Sequence, residues 1–177
     1  MAIIKKKQLG VAIIGLGVGE QHLIAFKNSK FINNIYIFDK NQKKTLKIKK
    51  KYKDVEICND LKKIYQNPKI DIISIASYDQ FHYEQIYNSL KNDKHVFCEK
   101  PICQNEKQLK NIENLLKKKR WLKMTTNTVL RTSKRFIEIK KKIKEGFFGD
   151  IYYLELDYNY GRLKKITEGW RGKINDY

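Results

Sequence analysis

Residues 11–19 read Val-Ala-Ile-Ile-Gly-Leu-Gly-Val-Gly, and this stretch decides how the rest of the chain is interpreted. The apolar run 11–14 predicts a buried strand, and residues 20–27 predict a helix directly after the glycines. Such a loop allows a tight turn at Gly15, close approach of a ligand at Gly17 and close helix–strand packing at Gly19. Glycine-rich strand–helix turns also serve purely structural ends, so the spacing alone leaves both interpretations open.

The pattern of an apolar run followed by a helical segment repeats along the chain. Further strands are predicted at 35–38, 55–58, 70–76, 94–98 and 122–127. Helices separate them, and Asp60 and Asn105 are suited to cap two of these helices. Near-continuous apolar strands that alternate with helices predict an α/β fold, a doubly wound parallel sheet with helices on both faces. Ligands of such sheets bind beyond the carboxyl ends of the strands.

An acidic residue ends the second predicted strand. Asp39 follows the glycine loop at close to the spacing of about 20 residues expected for the carboxylate that binds ribose hydroxyls. A carboxylate there repels a 2′-phosphate, which favours NAD(H), although Lys40 with Lys43 and Lys44 offers the positive charge that NADP(H) would need. The predicted dinucleotide site consists of Gly15, Leu16, Gly17, Val18, Gly19 and Asp39.

Motifs at the ends of the later strands carry a family resemblance. Ser77-Tyr-Asp-Gln-Phe-His82 follows the fourth predicted strand, Glu99-Lys100-Pro101 follows the fifth, and Phe147-Phe-Gly-Asp-Ile151 lies further on. With the glycine loop and His22, this order resembles the Gfo/Idh/MocA family (glucose–fructose oxidoreductase, inositol dehydrogenase and MocA) over essentially the whole chain. Glu-Lys-Pro is the most specific element, whereas Tyr-Asp at 78–79 replaces the Pro-Asn that is common in the family.

The resemblance implies an NAD(P)-dependent oxidoreductase on a Rossmann fold, which transfers hydride between nicotinamide and a hydroxyl or carbonyl of a sugar or cyclitol. It implies that Lys100 is catalytic, because an ammonium beside the reacting oxygen stabilises an alkoxide or relays its proton. His22 is expected to pack structurally, and no metal site is expected. The further residues implied to bind the cofactor are Ser77, His82, Glu99 and Asn127.

The pattern changes in the last third of the chain. We predict a Rossmann domain at 1–124 and, at 125–177, the incomplete start of an α+β domain for substrate binding or oligomerisation. A basic helix is predicted at 133–145 and a half-buried strand at 151–160. The family's Asp-x-x-x-His acid–base element is absent from 130–177. We therefore expect a truncated enzyme that is impaired or depends on a partner, either a homo-oligomer or a complementing chain paired through 151–160.

Composition sets further limits on function. The 177 residues include 38 Lys and Arg against 19 Asp and Glu, a net charge of +19. This charge raises nucleic-acid binding as a hypothesis, but lysine rather than arginine supplies it and no nucleic-acid motif accompanies it, so we do not favour that function. A non-enzymatic NAD-binding interaction module is the stronger alternative. The three cysteines lack zinc-ribbon spacing, so we expect reduced thiols in a cytoplasmic protein. No apolar run is long enough to predict a membrane span.

Overall fold

The computed structural model describes residues 8–159 together with 161, 164, 167 and 168. The strands of its sheet are, in chain order, β1 (Leu9–Ile14), β2 (Ile32–Phe38), β3 (Glu56–Ile57), β4 (Ile72–Ile75), β5 (His95–Cys98) and β6 (Met124–Thr126). The α-helices are α1 (Gly19–Lys27), α2 (Gln42–Lys51), α3 (Leu61–Gln66), α4 (His82–Lys91), α5 (Glu106–Lys118) and α6 (Lys134–Lys144). Short 3₁₀ helices span Asp79–Phe81 and Val129–Thr132.

The sheet has the order β3-β2-β1-β4-β5-β6, and every neighbouring pair is parallel. From β1 the chain adds strands outward to β3, returns to β4 on the other side of β1 and again adds strands outward. The strand order therefore reverses between β1 and β4, which is where doubly wound sheets bind ligands. This topology confirms the predicted α/β class.

Strand β1 shows how the sequence covers both faces of the sheet. Val11 and Ile13 lie in an apolar cluster with Leu23 of α1, whereas Ala12 and Ile14 lie in a second cluster that includes residues of α4 and α5. Successive strand residues point to opposite faces, so a strand packed on both sides needs an unbroken apolar run. These β1 residues are at most 1% exposed, and burying a side chain the size of isoleucine contributes about 1.5–3 kcal/mol.

Side-chain caps begin three of the helices. The Asn41 side chain accepts hydrogen bonds from the amides of Lys43 and Lys44 at the start of α2. The Asp60 side chain accepts from Lys62 N at the start of α3. The Asn105 side chain accepts from Gln108 N at the start of α5. The capping roles predicted for Asp60 and Asn105 are confirmed.

The described residues up to Leu130 form one compact unit, and those from Arg131 onward form a second. In the second unit α6 agrees with the predicted basic helix, and Gly146 and Gly149 adopt positive φ in the turn after it. The assignment of 125–177 to the start of a substrate domain stays a prediction.

The strand predicted at 151–160 is wrong for the residues that are described. Residues 151–159 form no strand, and Tyr152 is 98% exposed; residue 160 lies outside the described residues. Alternation of apolar and polar residues produces a strand only where a neighbouring strand pairs with its backbone groups. The described residues supply no such neighbour to this segment.

Candidate cofactor-binding site

The candidate residues lie along one edge of the sheet. Because the paired strands are parallel, the carboxyl ends of β1, β2, β4, β5 and β6 meet at the same edge. The glycine loop follows β1, Asp39 follows β2 and Ser77 follows β4, while Glu99-Lys100 and Asn127 follow β5 and β6. The structure therefore brings these residues to the edge where such sheets bind ligands, although their individual roles stay predictions.

The loop after β1 contains three glycines with different surroundings. Gly15 has φ +87°, which favours glycine, and a Cβ there would lie 2.5 Å from the carbonyl oxygen of Ala76. At Gly19 a Cβ would lie 3.1 Å from Ile13 Cγ2, because α1 packs closely against β1. At Gly17 a Cβ would meet no atom of the described part of the chain within 4 Å. Gly15 and Gly19 thus shape the fold, whereas Gly17 borders open space.

The first turn of α1 offers unpaired backbone donors. Among the described residues, the amides of Gly17, Val18 and Gly19 meet no acceptor, and Val18 is 55% exposed. The Leu16 amide differs, because it donates to Asp39 Oδ2 at 2.8 Å. Unpaired amides at a helix N-terminus, where the helix dipole is positive, attract phosphate groups. The free main-chain donors of the loop therefore lie at residues 17–19 and not at Leu16, and contact of any of these residues with a cofactor stays a prediction.

Main-chain amides hold both oxygens of Asp39. Oδ2 accepts from the Leu16 amide and Oδ1 accepts from the Asn41 amide, each at 2.8 Å. An ionised carboxylate has about four lone-pair positions, so each oxygen can accept a further hydrogen bond from a ribose hydroxyl. Next to Asp39, Lys40 Nζ lies 3.9 Å from the centroid of the Phe81 ring. This cation–π contact links the segments after β2 and β4.

The imidazole of His82 connects the segments that follow β4 and β5. Its Nδ1 lies 2.6 Å from the carbonyl oxygen of Pro101, and its Nε2 lies 3.1 Å from the carbonyl oxygen of Ser77. The side chain is fully buried, so the ring holds the two segments together. The Ser77 hydroxyl donates to Gln85 Oε1 at 2.7 Å. Contact of Ser77 or His82 with a cofactor stays a prediction.

A chain of hydrogen-bonded side chains lies at the end of β5. Glu99 Oε1 lies 3.1 Å from His22 Nε2 and accepts from Asn127 Nδ2 at 2.7 Å. On the other side of the imidazole, His22 Nδ1 lies 2.9 Å from Ser74 Oγ. The hydrogen bond with His22 holds the pKa of Glu99 below its ordinary value against the opposing effect of burial, and Asn127 adds to the lowering. Glu99 is therefore ionised at neutral pH and acts as an acceptor.

Lys100 follows Glu99 and precedes Pro101, and the Lys100–Pro101 peptide bond is cis. The Lys100 side chain is exposed. Removing a lysine from water favours its neutral form and thereby tunes it for proton transfer. The catalytic role of the exposed Lys100 stays a prediction.

The sequence predicts a packing role for His22 and does not indicate its contact with Glu99, which lies 77 residues away. A signal was nevertheless present in its position. His22 falls on the face of α1 that packs against the sheet, and a buried imidazole needs partners for its ring nitrogens. The two partners come from strand segments that only the tertiary fold brings to α1.

Two features are absent from the described residues. No group of three or more His, Cys, Asp or Glu side chains in the described ranges could hold a metal ion. Within the same ranges, no helix is both long and apolar enough to cross a membrane.

A doubly wound parallel sheet, with a glycine loop after its first strand and an acidic residue after its second, defines a dinucleotide-binding domain of the Rossmann class. Residues 9–126, more than half of the chain, match the Gfo/Idh/MocA family, described as "Oxidoreductase family, NAD-binding Rossmann fold". The chain belongs to this family and carries its NAD-binding fold, which confirms the resemblance inferred from the motifs.

Relatives with assigned activities include inositol dehydrogenases. The scyllo-inositol 2-dehydrogenase (NADP(+)) IolW of Bacillus subtilis is 27% identical over 130 residues, which cover 73% of this chain and 36% of that protein. The myo-inositol 2-dehydrogenase of Thermotoga maritima is 25% identical over 152 residues, which cover 82% of this chain and 44% of that protein.

Solved structures agree with this relationship. The scyllo-inositol dehydrogenase of Lactobacillus casei, solved with bound cofactor NAD(H) and scyllo-inositol, has a TM-score of 0.76 and 25% sequence identity to this chain. The alignment covers 82% of this chain and 43% of that one. The chain thus spans less than half the length of each of these relatives.

Proposed function

We propose that the chain binds NAD(H) along the carboxyl edge of its sheet and serves hydride transfer to or from a sugar or cyclitol. The cofactor part rests on one observation: Gly17 borders open space beside amides that meet no acceptor among the described residues. A phosphate group is the ligand that both features favour. The substrate class rests on the inositol dehydrogenases among the relatives.

Residues at the two ends of the site suit different parts of the cofactor. Asp39 accepts hydrogen bonds from the adenosine ribose, and its charge disfavours a 2′-phosphate, so NAD(H) is preferred over NADP(H). Lys40, which already contacts Phe81, lies where it could offset that preference. At the other end Glu99 and Asn127 line the segment that carries Lys100.

The bound nicotinamide supplies the hydride acceptor or donor. Lys100 places an ammonium at the carboxyl end of β5, next to the proposed nicotinamide position. A positive charge there stabilises the oxygen of a carbinol as its proton leaves, or stabilises a carbonyl oxygen in the reverse direction.

The proposal also includes a partner for the exposed segment at 147–158 and a location in the cell. Several large apolar side chains between 147 and 158 are exposed, Tyr152 and Leu156 among them. We assign this segment to contact with a second copy or with a complementing chain, whose backbone would pair with it. All three cysteines are free thiols in the structure, as suits a cytoplasmic protein.

A titration of the chain with NADH and NADPH, followed by cofactor fluorescence, tests the proposal. Gly17→Val puts a branched side chain where the phosphate is proposed to lie and should lower NADH affinity about tenfold or more. Gly161→Val is the matched control, because a Cβ at Gly161 also meets no atom of the described residues within 4 Å. Both variants should keep the wild-type melting temperature. Equal NADH affinity of Gly17→Val and wild type, or no binding by wild type at millimolar cofactor, would contradict the proposal.

A further inference from the structure

We propose that His22 is a positioning residue that sets the Glu99 carboxylate and, through it, the Asn127 side chain, so that it controls how tightly the nicotinamide half is held. This inference deepens the proposed NAD(H) binding and rests on it. It gives a role to a histidine that neither touches the glycine loop's open side nor carries the Glu-Lys-Pro motif.

The location of His22 couples the two ends of the site. It lies on α1, the helix that begins at the glycine loop, and its side chain is buried. Ser74 of β4 contacts one ring nitrogen and Glu99 contacts the other. The ring also packs edge-on against Phe97 of β5, with centroids 5.0 Å apart. An imidazole held on three sides has a single orientation, so the position of Glu99 depends on it.

The proton arrangement of the ring follows from its partners. Ionised Glu99 can only accept, so His22 Nε2 carries a proton and donates to it. In the neutral ring Nδ1 is then an acceptor, and the buried Ser74 hydroxyl donates to it. Glu99 thereby fixes the tautomer, and the Ser74 hydroxyl, which can donate or accept, adapts by donating to Nδ1.

Glu99 passes this constraint on to the proposed nicotinamide side. Its carboxylate accepts a hydrogen bond from the Asn127 side chain as well as from His22, and both lower the pKa of the carboxyl. One carboxylate thus links α1 to the segment after β6. Groups that hold a reacting ring must be placed to within a fraction of an ångström, so loosening this carboxylate weakens the hold on the nicotinamide.

A merely structural histidine would have a different effect. If His22 only filled space between α1 and the sheet, its replacement would disturb the fold and the glycine loop alike. Affinity for every part of the cofactor would then fall together. A positioning role predicts loss for a ligand that carries the nicotinamide nucleoside and none for a ligand that lacks it.

Two polar variants separate these possibilities. Gln places its amide nitrogen near the position of Nε2 and keeps a donor for Glu99, whereas Asn places its polar atoms near Nδ1 and loses that donor. The probes are NADH and ADP, since ADP carries the adenosine and diphosphate without the nicotinamide nucleoside. We expect His22→Asn to lower NADH affinity about tenfold and to leave ADP affinity unchanged. His22→Gln should keep NADH affinity near that of wild type.

A ligand-free measurement makes the outcome independent of cofactor binding. The carboxyl ¹³C signal of Glu99, followed against pH by NMR, should report a lowered pKa in wild type and in His22→Gln, and a value closer to ordinary glutamate in His22→Asn. The inference is overturned if the two variants behave alike, or if NADH and ADP affinities fall together. Failure of wild type to bind either nucleotide, with the NMR difference intact, would refute the proposed cofactor function while leaving the His22–Glu99 coupling established.

Discussion

The two acidic residues of the candidate site are held by different kinds of partner. Main-chain amides of Leu16 and Asn41 bind Asp39, whereas the side chains of His22 and Asn127 bind Glu99. A main-chain donor survives almost any substitution of its residue, but a side-chain donor is lost with a single one. The proposed adenosine end of the site is therefore specified by the path of the backbone, and the proposed nicotinamide end by the identity of a few side chains.

The largest expected effect on stability comes from disturbing the backbone of the glycine loop, at the Asp39 end of the site. Gly15→Ala should reduce the free energy of unfolding by about 3 kcal/mol, because a positive φ is unfavourable for alanine and its Cβ would clash with the main chain at Ala76. Urea denaturation measures this loss. Gly17→Ala is the control and should be nearly neutral, since its Cβ meets open space. Equal stability of the two variants would contradict the conclusion that the backbone path specifies the Asp39 end of the site.

A smaller loss of stability is expected from neutralising Glu99. Glu99→Gln keeps an oxygen acceptor but replaces charge-assisted hydrogen bonds by neutral ones, and should cost about 1 kcal/mol at pH 7. The folded state lowers the pKa of Glu99, so its stabilisation is complete above the ordinary glutamate value of about 4.3 and is lost as the pH falls below it.

The penalty of Glu99→Gln should accordingly shrink as the pH is lowered through 4, because the unfolded wild-type chain then takes up a proton more readily than the folded one. Urea midpoints of wild type and variant, measured in parallel from pH 7 to pH 3.5, give the difference directly. A penalty that stays constant over this range would mean that the charge of Glu99 contributes nothing to the folded state.

The smallest effect on binding is expected at Asn41. Asn41→Ala removes the side-chain cap of α2, which should cost about 1 kcal/mol of stability. The amide of residue 41 remains, and with it the hydrogen bond to Asp39 Oδ1. NADH affinity measured by fluorescence should therefore equal that of wild type. A clear loss of affinity in a folded variant would show that Asp39 depends on more than its main-chain donors.

Local patterns were sufficient to predict most of the fold. Apolar runs and capping residues placed the strands and helices of the sheet within a few residues, because a strand buried on both faces must be apolar throughout. Strand β2 begins at Ile32 rather than at 35, since Asn34 pairs with Gly10 of β1 despite being polar. The strand predicted at 151–160 fails for the opposite reason. Its apolar and polar residues alternate as in a strand, but no strand among the described residues pairs with it.

The same distinction, between local pattern and tertiary contact, applies to the residues of the candidate site. Positions on the backbone path, such as Gly17 and Asp39, follow from spacing within a single strand–helix–strand unit and were predictable. Contacts between side chains distant in sequence were not, and the His22–Glu99 and Lys40–Phe81 pairs belong to this group. Each of these side chains could pair with many others in the sequence. Only the strand order shows which of them meet.

The outermost strands of the sheet are its shortest, with two residues in β3 and three in β6. A sheet's outer strands carry unpaired amides and carbonyls that can recruit other chains, and short outer strands limit that recruitment. The isoleucine-rich β1, β2 and β4 lie inside them. Segments with the composition of fibre-forming peptides are thus kept from the ribbon-like stacking that begins aggregation.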